Sequence, residues 1–256
     1  MTKSVQSVSR ALQVLEYLNQ HSGGTVREIS TETGLSRGTV FRLLETLRNE
    51  GYLRKDSGSP AYWLTGRVRA LSDGYQEEWW IDEFAKQVID ELGAQTKWPV
   101  KLLTLSGYEM LTRVTTDFQS PLTDGKIPTG FRVSLLWTAA GRVVLAFSPA
   151  NVREALVNGC QTGVMRVGRA RRRVEKLGLS AIESICTRIR KNGYEIVDQE
   201  DTQYYSLAVP VIAGTRVVGA LAIFFFRASI KQGHAVTTFK PMLDQAAKVI
   251  GDRFPA

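Results

Sequence analysis

SGGTVREISTETGLSRGTVFRLLETLRNEGYLRKDSGSPAYWLT, residues 22–65, is the stretch with the most specific pattern in the chain. Thr25 and Glu28, three residues apart, have the spacing of a capping box, which begins a helix. Gly34 suits the left-handed conformation that ends this helix, and Ser36 is a favourable N-cap for the next one. Two short helices joined by a Gly-Leu-Ser turn, with a small basic hairpin after them, predict a winged helix-turn-helix.

Three helices are expected in this domain. The first is predicted over residues 7–21, with a buried stripe formed by Val8, Ala11, Leu12, Leu15 and Leu18. The third also has an apolar face, at the i, i+3, i+4 and i+7 spacing, formed by Val40, Leu43, Leu44 and Leu47. At about 100° per residue, Arg42 falls on the opposite face of the third helix, together with Gly38, Glu45 and Asn49.

A helix in this position reads DNA bases with its N-terminal residues. Arg42 is predicted to contact a base edge, because a guanidinium can bond guanine O6 and N7 together. Ser36 and Thr39 are predicted phosphate contacts, aided by the helix N-terminus. Phe41 could touch a thymine methyl group. The alternatives are a solvated face for Arg42, with Glu45 as its ion-pair partner, and packing between domains for Phe41.

The basic hairpin adds further predicted DNA contacts. Its strands are expected at residues 52–55 and 61–64, around a turn rich in residues that tolerate tight backbone geometry. Arg54 and Lys55 would contact phosphates and add affinity without sequence choice. Arg37, at the start of the third helix, fits a phosphate or a base contact. The predicted DNA-binding set is Thr25, Ser36, Arg37, Gly38, Thr39, Phe41, Arg42, Arg54 and Lys55.

Length and composition narrow the class of protein. At 256 residues the chain suits one small and one medium domain, and 43 % hydrophobic residues are enough for packed cores. The net charge of +8 favours a polyanionic partner. No apolar run approaches the ~20 residues of a membrane helix, and none at the N-terminus resembles a signal peptide. A reduced, cytoplasmic, soluble protein is therefore expected.

Residues of the types that bind metals or perform catalysis are few and scattered. His21 and His234 have no metal-ligand spacing, and Cys160 and Cys186 are far apart in the sequence, so no zinc motif is recognisable. No phosphate-binding loop or nucleophile motif stands out, and no cofactor, metal or catalytic residue is predicted. The rival hypothesis is an enzyme with a DNA-binding appendage, in which carboxylates of residues 198–201 act as acid and base.

The second half of the chain mixes strand and helix patterns. Strands are predicted at residues 100–105 and 110–115, and a hairpin at residues 207–212 and 217–226. The run VVGALAIFFF is apolar on both faces, which indicates a strand covered on both sides. Helices are predicted at residues 81–96, 138–147 and 237–253, and from near Ser180. This mixture predicts an α+β domain with a central sheet, and the domain organisation 1–65, a linking segment 66–80, and 81–256.

Two sets of residues resemble the IclR family of bacterial transcriptional regulators. In the first domain they are GLSRGTVFRLLETLRNEGYL and the wing that ends Tyr62-Trp63-Leu64-Thr65. Gly38 departs from the family, which often has a hydroxyl residue there. In the second domain they are TAAGR at residues 138–142, Gly193-Tyr194, LAVPV at residues 207–211 and GAL at residues 219–221. The resemblance implies a C-terminal GAF-like effector-binding domain, a dimer or tetramer, and double-stranded operator DNA as a partner.

Within the family, the likeness is to regulators of aromatic-acid catabolism. It is carried by residues 113–147 and by Glu77-Glu78-Trp79-Trp80. It implies a regulator that senses a small aromatic carboxylic acid, with an activator favoured over a repressor. The effector would change operator affinity or contact with RNA polymerase, and a short aliphatic acid is the alternative effector.

Position in the family also implies an effector pocket. Ser206, Ala222 and Phe224 fall at ligand-facing places, together with Asp198 or Gln199. Family members that bind small polar acids have polar residues where this chain has Ala222 and Phe224, so an apolar pocket is expected. Leu135, Leu136 and Trp137 could add a stacking wall. The predicted effector-binding set is Arg132, Leu135, Trp137, Asp198, Glu200, Ser206, Ala222 and Phe224.

An acidic effector would need a positive partner. A cation or a set of backbone N–H groups must meet its carboxylate, and the candidate cations are Arg132, Arg113 and Lys101. For Arg132 and Arg113 the alternative is a solvated surface position. For Trp137 and Phe224 the alternative is core packing.

Residues 164–176 read VMRVGRARRRVEK and form a run of arginines. Such runs attract phosphate, so one hypothesis is a second nucleic-acid patch. The other is a charged surface loop or a contact with acidic residues of a partner subunit.

Overall fold

The computed structural model describes residues 5–72, 74, 80–123, 127–161, 178–198 and 203–254. The chain divides into two compact units, Met1–Gln76 and Glu77–Ala256. This division lies within residues 66–80, the predicted linking segment. The arginine run at residues 164–176 and the predicted site residues Gln199 and Glu200 lie outside the described residues.

The first unit is a winged helix-turn-helix, as predicted. Its helices are α1 (Gln6–His21), α2 (Val26–Thr33) and α3 (Arg37–Asn49), and its strands are β1 (Gly24–Thr25), β2 (Leu53–Arg54) and β3 (Ala61–Leu64). The strands form an antiparallel sheet in the order β1-β3-β2. A 3₁₀ segment, Gly66–Ser72, follows the wing.

The core of this unit corrects the prediction for α1. Val14 and Leu18 are the α1 residues buried in it, whereas Val8 is 56 % and Leu12 46 % exposed. Apolar side chains occur on more than one face of α1, and periodicity alone does not reveal which face the other helices cover. The core residues are Val14, Leu18, Ile29, Val40, Leu44, Leu47, Leu53 and Tyr62, with Leu43 partly buried against them.

The second unit contains five helices and six strands among its described residues. A π-helical turn, Ile81–Ala85, runs into α4 (Lys86–Thr96). The other helices are α5 (Ala139–Phe147), α6 (Ala150–Gln161), α7 (Leu179–Asn192) and α8 (Gln232–Asp252). The strands are β4 (Val100–Ser106), β5 (Glu109–Thr115), β6 (Arg132–Ser134), β7 (Glu195–Asp198), β8 (Tyr204–Ala213) and β9 (Arg216–Phe226).

These strands form one antiparallel sheet in the order β6-β5-β4-β9-β8-β7. On one face, α4 and α8 pack over a core that includes Leu102, Leu221 and Phe225. On the other face, α5 and α7 pack over a core that includes Leu103 and Ala220. Strand β9 is covered on both sides, as its apolar run predicted, and the predicted α+β class is confirmed.

Helix α8 approaches the sheet closely near its C-terminal end. A Cβ atom added at Gly251 would lie 2.1 Å from the carbonyl oxygen of Ile212. A backbone carbonyl cannot move aside in the way that the end of a flexible side chain can. A methyl group at this position would therefore push α8 away from the turn between β8 and β9.

Gly251→Ala is expected to lower the free energy of unfolding by about 1–3 kcal/mol, the usual cost of overpacking a core. Gly233→Ala, at the exposed start of the same helix, is the matched control, since no atom lies within 4 Å of its added Cβ. The control should leave stability unchanged or raise it by up to about 1 kcal/mol, because alanine favours the helix. Urea unfolding of the full chain measures both, and a Gly251→Ala protein as stable as the control would contradict the close approach.

Candidate functional site

The start of α3 is held by its own hydroxyl groups. Ser36 Oγ accepts a hydrogen bond from the backbone N–H of Thr39 at 3.3 Å and lies 2.9 Å from Thr39 Oγ1. Gly34, with φ of +72°, ends α2 in the left-handed region. The turn therefore presents the first N–H groups of α3, which have no carbonyl partner within the helix.

Thr25 begins α2 in the predicted capping box. Its backbone N–H and its hydroxyl both donate to Glu28 Oε2 at 2.8 Å, and the Glu28 N–H donates back to Thr25 Oγ1 at 3.3 Å. These bonds from the Thr25 backbone and side chain hold the pKa of Glu28 below its ordinary value. The structure thus gives Thr25 a capping role, and a DNA contact for it stays a prediction.

The outer face of α3 carries the predicted base-reading side chains. Arg37, Gly38 and Arg42 are exposed, and Phe41 is 49 % exposed. Among the described residues neither Arg37 nor Arg42 has an ion-pair partner. Both guanidinium groups are therefore available to an external partner.

Glu45 is directed to the wing, not to Arg42. Its Oε1 accepts a hydrogen bond from the Tyr62 hydroxyl at 2.8 Å, and its Oε2 lies 2.6 Å from Arg48 Nη2. Burial and this bond to Glu45 raise the pKa of Tyr62 to about 12. The ion-pair partner of Glu45 in the structure is Arg48, so the alternative in which Glu45 pairs with Arg42 is wrong.

Aromatic rings hold the basic side chains of the wing. The Arg54 guanidinium lies 5.0 Å from the ring centre of Trp63 and forms an ion pair with Asp56. Lys55 Nζ lies 4.9 Å from the ring centre of Tyr62, the same tyrosine that bonds Glu45 of α3. Through Tyr62, the positive charge of the wing is placed beside α3.

The second unit contains a cavity of about 130 Å³ between its sheet and the start of α5. Five adjacent strands, β6, β5, β4, β9 and β8, contribute lining residues, and the connection between β5 and β6 supplies another wall. Its lining residues are Lys101, Leu103, Thr112, Ile127, Phe131, Val133, Thr138, Ala139, Ala140, Ser206, Ala222 and Phe224.

Strand pairing brings the floor residues together. Lys101 lies opposite Ala222, and Leu103 lies opposite Thr112. Ser206 of β8 lies opposite Phe224 of β9.

Lys101 brings a positive charge to this cavity. Its Nζ lies 3.0 Å from Asp117 Oδ2 and 4.2 Å from the ring centre of Phe224. The Lys101 side chain is 4 % exposed and that of Asp117 is 1 % exposed. Burial lowers the pKa of Lys101 from its ordinary value, and the charge of Asp117 and its hydrogen bond act in the opposite direction.

Two further polar features line the cavity. The hydroxyl of Thr112 is buried and has no hydrogen-bond partner among the described residues. Ala139 and Ala140 form the first turn of α5, where backbone N–H groups lack carbonyl partners within the helix and favour anions. Thr138 Oγ1 accepts from the Gly141 N–H at 3.1 Å and donates to the Ser134 carbonyl at 2.7 Å, so this turn is tied to β6.

Of the predicted effector-binding residues, Ser206, Ala222 and Phe224 line the cavity, and so does Lys101, one of the candidate cations. Arg132 does not, because it alternates along β6 with Val133, and its Nη1 lies 3.1 Å from Ser106 Oγ and 3.6 Å from Glu109. Arg113, the third candidate cation, is not among the lining residues either.

The other predicted residues lie in neighbouring positions. Leu135 is fully buried in the core beneath α5. Trp137 packs partly buried against the same core, with the Arg142 guanidinium 5.8 Å from its ring centre. Asp198, at the end of β7, is paired with Arg227 at 3.2 Å. None of these three is a lining residue, and Glu200 lies outside the described residues.

The sequence-based prediction missed several lining residues. Thr112 could have been found from strand alternation in β5, two positions after the buried Met110. Ile127 and Phe131 belong to the connection between β5 and β6, where no periodic pattern marks a wall. Within the described part of the chain, no group of three metal-binding side chains occurs, and no helix is long and apolar enough to span a membrane.

Comparison with known proteins bears on both units. The sequence profile of the IclR helix-turn-helix domain matches residues 7–57, and that of the bacterial transcriptional regulator IclR C-terminal domain matches residues 75–251. The chain is 27 % identical to the HTH-type transcriptional regulator XynR of Escherichia coli, over 94 % of each protein.

Solved structures show the same fold. An IclR family regulator from Brucella abortus has a TM-score of 0.66 at 20 % identity, covering 99 % of this chain and 94 % of that one. An IclR homolog from Microbacterium hydrocarbonoxydans, solved with 4-hydroxybenzoate, has a TM-score of 0.62 at 17 % identity, covering 96 % and 97 %. With a profile match over more than half its length, the chain belongs to the IclR family of ligand-responsive, DNA-binding transcriptional regulators, whose members are not enzymes.

Proposed function

We propose that this protein binds operator DNA as a dimer or tetramer and responds to a small aromatic carboxylic acid held in the cavity of its second unit. Residues 1–65 would bind DNA, residues 81–256 would bind the effector, and residues 66–80 would link them. The observation that carries the proposal is the buried Lys101 ammonium beside a mostly apolar cavity the size of one ring.

Cavity size supports a single-ring effector. An engineered apolar cavity of about 150 Å³ holds a benzene molecule, and the cavity here is of similar size, about 130 Å³. Leu103, Ile127, Phe131, Val133 and Phe224 give it apolar and aromatic walls, which suit a ring.

Cavity charge supports an acid. Lys101 and the first-turn N–H groups of α5 are positive features that can receive a carboxylate. The homologous structure from Microbacterium hydrocarbonoxydans contains 4-hydroxybenzoate, a ligand of this class. Because its identity to this chain is only 17 %, that structure supports only the chemical class of the effector. The fit of a single ring is supported by the cavity walls of this chain.

The DNA surface is proposed from α3 and the wing. Arg42 and Arg37 project from the exposed face of α3 without ion-pair partners among the described residues. Ser36 and Thr39 lie at its N-terminus, and Arg54 and Lys55 lie on the wing. At Gly38 an added Cβ would meet no atom within 4 Å, so DNA backbone can approach there closely.

Effector and operator binding would be linked through two states of the protein. An effector shifts operator affinity only to the extent that it binds one state better than the other. The resemblance to the aromatic-catabolism group favours an activator, which contacts RNA polymerase, over a repressor.

Arg42→Ala is expected to reduce affinity for a duplex selected from a randomised library by a factor equivalent to about 1–3 kcal/mol, the worth of a bidentate base contact. Affinity for a random duplex should fall far less. Lys55→Ala should weaken binding to both duplexes alike and reduce the slope of log K against log salt by about 0.9, as for one lost phosphate contact. Fluorescence anisotropy at several salt concentrations measures both quantities.

Arg10→Ala is the control for loss of a positive charge elsewhere in the same unit, since Arg10 lies on α1 and bonds Gln6. It should leave the preference for the selected duplex unchanged. If Arg42→Ala and Arg10→Ala weaken binding to both duplexes equally, Arg42 does not read a base.

Thr112→Val is expected to stabilise the protein and weaken effector binding. The variant removes a buried hydroxyl that has no partner in the part of the chain that the structure describes, so the free energy of unfolding should rise by about 1 kcal/mol. Calorimetry with benzoates, phenylpropionates and short aliphatic acids should show that the native chain prefers the aromatic acids. In the variant, affinity for hydroxylated aromatic acids should fall by about two- to tenfold, the worth of one hydrogen bond.

Thr104→Val is the matched control on the neighbouring strand, because Thr104 does not line the cavity. It should leave acid binding unchanged. Binding of glyoxylate-sized acids alone would contradict the aromatic effector and favour the aliphatic alternative.

A further inference from the structure

Asp117 is a buried carboxylate that the proposed function leaves without a role. It follows β5. Its Oδ2 lies 3.0 Å from the Lys101 ammonium and accepts a hydrogen bond from the Ile127 N–H at 2.8 Å. Its Oδ1 is buried and has no hydrogen-bond partner among the described residues. Lys101 and Ile127 line the cavity, and Asp117 lies directly behind them.

The positive charge of Lys101 is therefore already balanced by that of Asp117 before a ligand enters. Asp117 is the one acidic side chain paired with it in the described part of the chain. An ammonium has three donors, but it carries one charge. A ligand carboxylate that simply joined the pair would leave one excess negative charge buried, which is costly in a site excluded from water.

We propose that Asp117 is a specificity-determining residue of the cavity, which occupies Lys101 as an internal counter-anion that a ligand carboxylate must displace. A neutral aromatic ligand leaves the Lys101–Asp117 pair intact. The cavity thus discriminates by charge as well as by shape. This inference rests on the proposed function, since it concerns the ligand of the same cavity.

The contacts of Asp117 make such an exchange physically reasonable. When a ligand carboxylate takes the Lys101 ammonium, Asp117 keeps the N–H of Ile127 as a donor. The first-turn N–H groups of α5 supply further positive character for the additional anion.

Calorimetry on the full chain with 4-hydroxybenzoate and its uncharged amide, 4-hydroxybenzamide, tests this. In Asp117→Asn the side chain that competes with the ligand for Lys101 is no longer charged. Affinity for the acid should therefore rise by at least about tenfold, as expected for a charged hydrogen bond. Affinity for the amide should change less than threefold. Asp244→Asn, which breaks the partly exposed Lys240–Asp244 pair on α8, is the control and should alter neither affinity.

A second variant covers the case in which Asp117→Asn fails to fold because Lys101 is left unpaired. The double variant Lys101→Met, Asp117→Leu replaces the pair by apolar groups of similar volume, an exchange that folds often tolerate. It should bind the amide at least as well as the native chain does, and the acid no better than the amide. The inference is overturned if Asp117→Asn gains equally for acid and amide, if it binds the acid more weakly, or if the double variant still prefers the acid.

Nitrate provides a readout that does not require an aromatic ligand. It should raise the melting temperature of Asp117→Asn more than that of the native chain, and should not raise that of the double variant. If the native chain binds neither aromatic compound but nitrate behaves in this way, the aromatic effector is wrong and the role of Asp117 stands. Equal shifts in all three proteins would overturn the role of Asp117.

Discussion

The close packing of the first turn of α5 against the backbone before it is the constraint on which the cavity depends. A Cβ atom at Gly141 would lie 2.1 Å from the Leu135 carbonyl oxygen, so this contact admits only glycine. Thr138 fastens the same turn by bonding both the Gly141 N–H and the Ser134 carbonyl. The N-terminus of α5 is thereby held over the sheet, where Ala139 and Ala140 of its first turn line the cavity together with Lys101.

The polar groups of this cavity are better explained by binding than by stability. A buried ion pair such as Lys101–Asp117 often contributes little, because removing both charges from water costs about as much as their attraction returns. The hydroxyl of Thr112 and the Oδ1 of Asp117, which have no hydrogen-bond partner within the described ranges, add further cost. These groups therefore support the proposal that the cavity binds a ligand able to engage them.

The DNA-binding unit was largely predictable because its signals are local. The capping box at Thr25, the N-cap at Ser36 and the stripe from Val40 to Leu47 depend on residues within one or two helical turns. The stripe of α1 was wrong at Val8 and Leu12, since only packing decides which apolar face is covered. The net charge of the chain did not indicate where DNA binds, because five of the arginines that contribute to it lie in residues 166–173, outside the first unit.

The cavity depended on pairings between distant strands, and these could be predicted only in part. Ser206, Ala222 and Phe224 came from position in the family. The residues alone left Lys101, Arg113 and Arg132 as candidates for the cation, and the predicted set included Arg132, which does not line the cavity. Register separates them, because successive side chains of a strand face opposite sides of the sheet. Lys101 faces the cavity, whereas its neighbour Leu102 faces the core beneath α4 and α8. A slip of β4 by one residue would bury the ammonium in that apolar core, so the register that stabilises the sheet also sets the charge of the cavity.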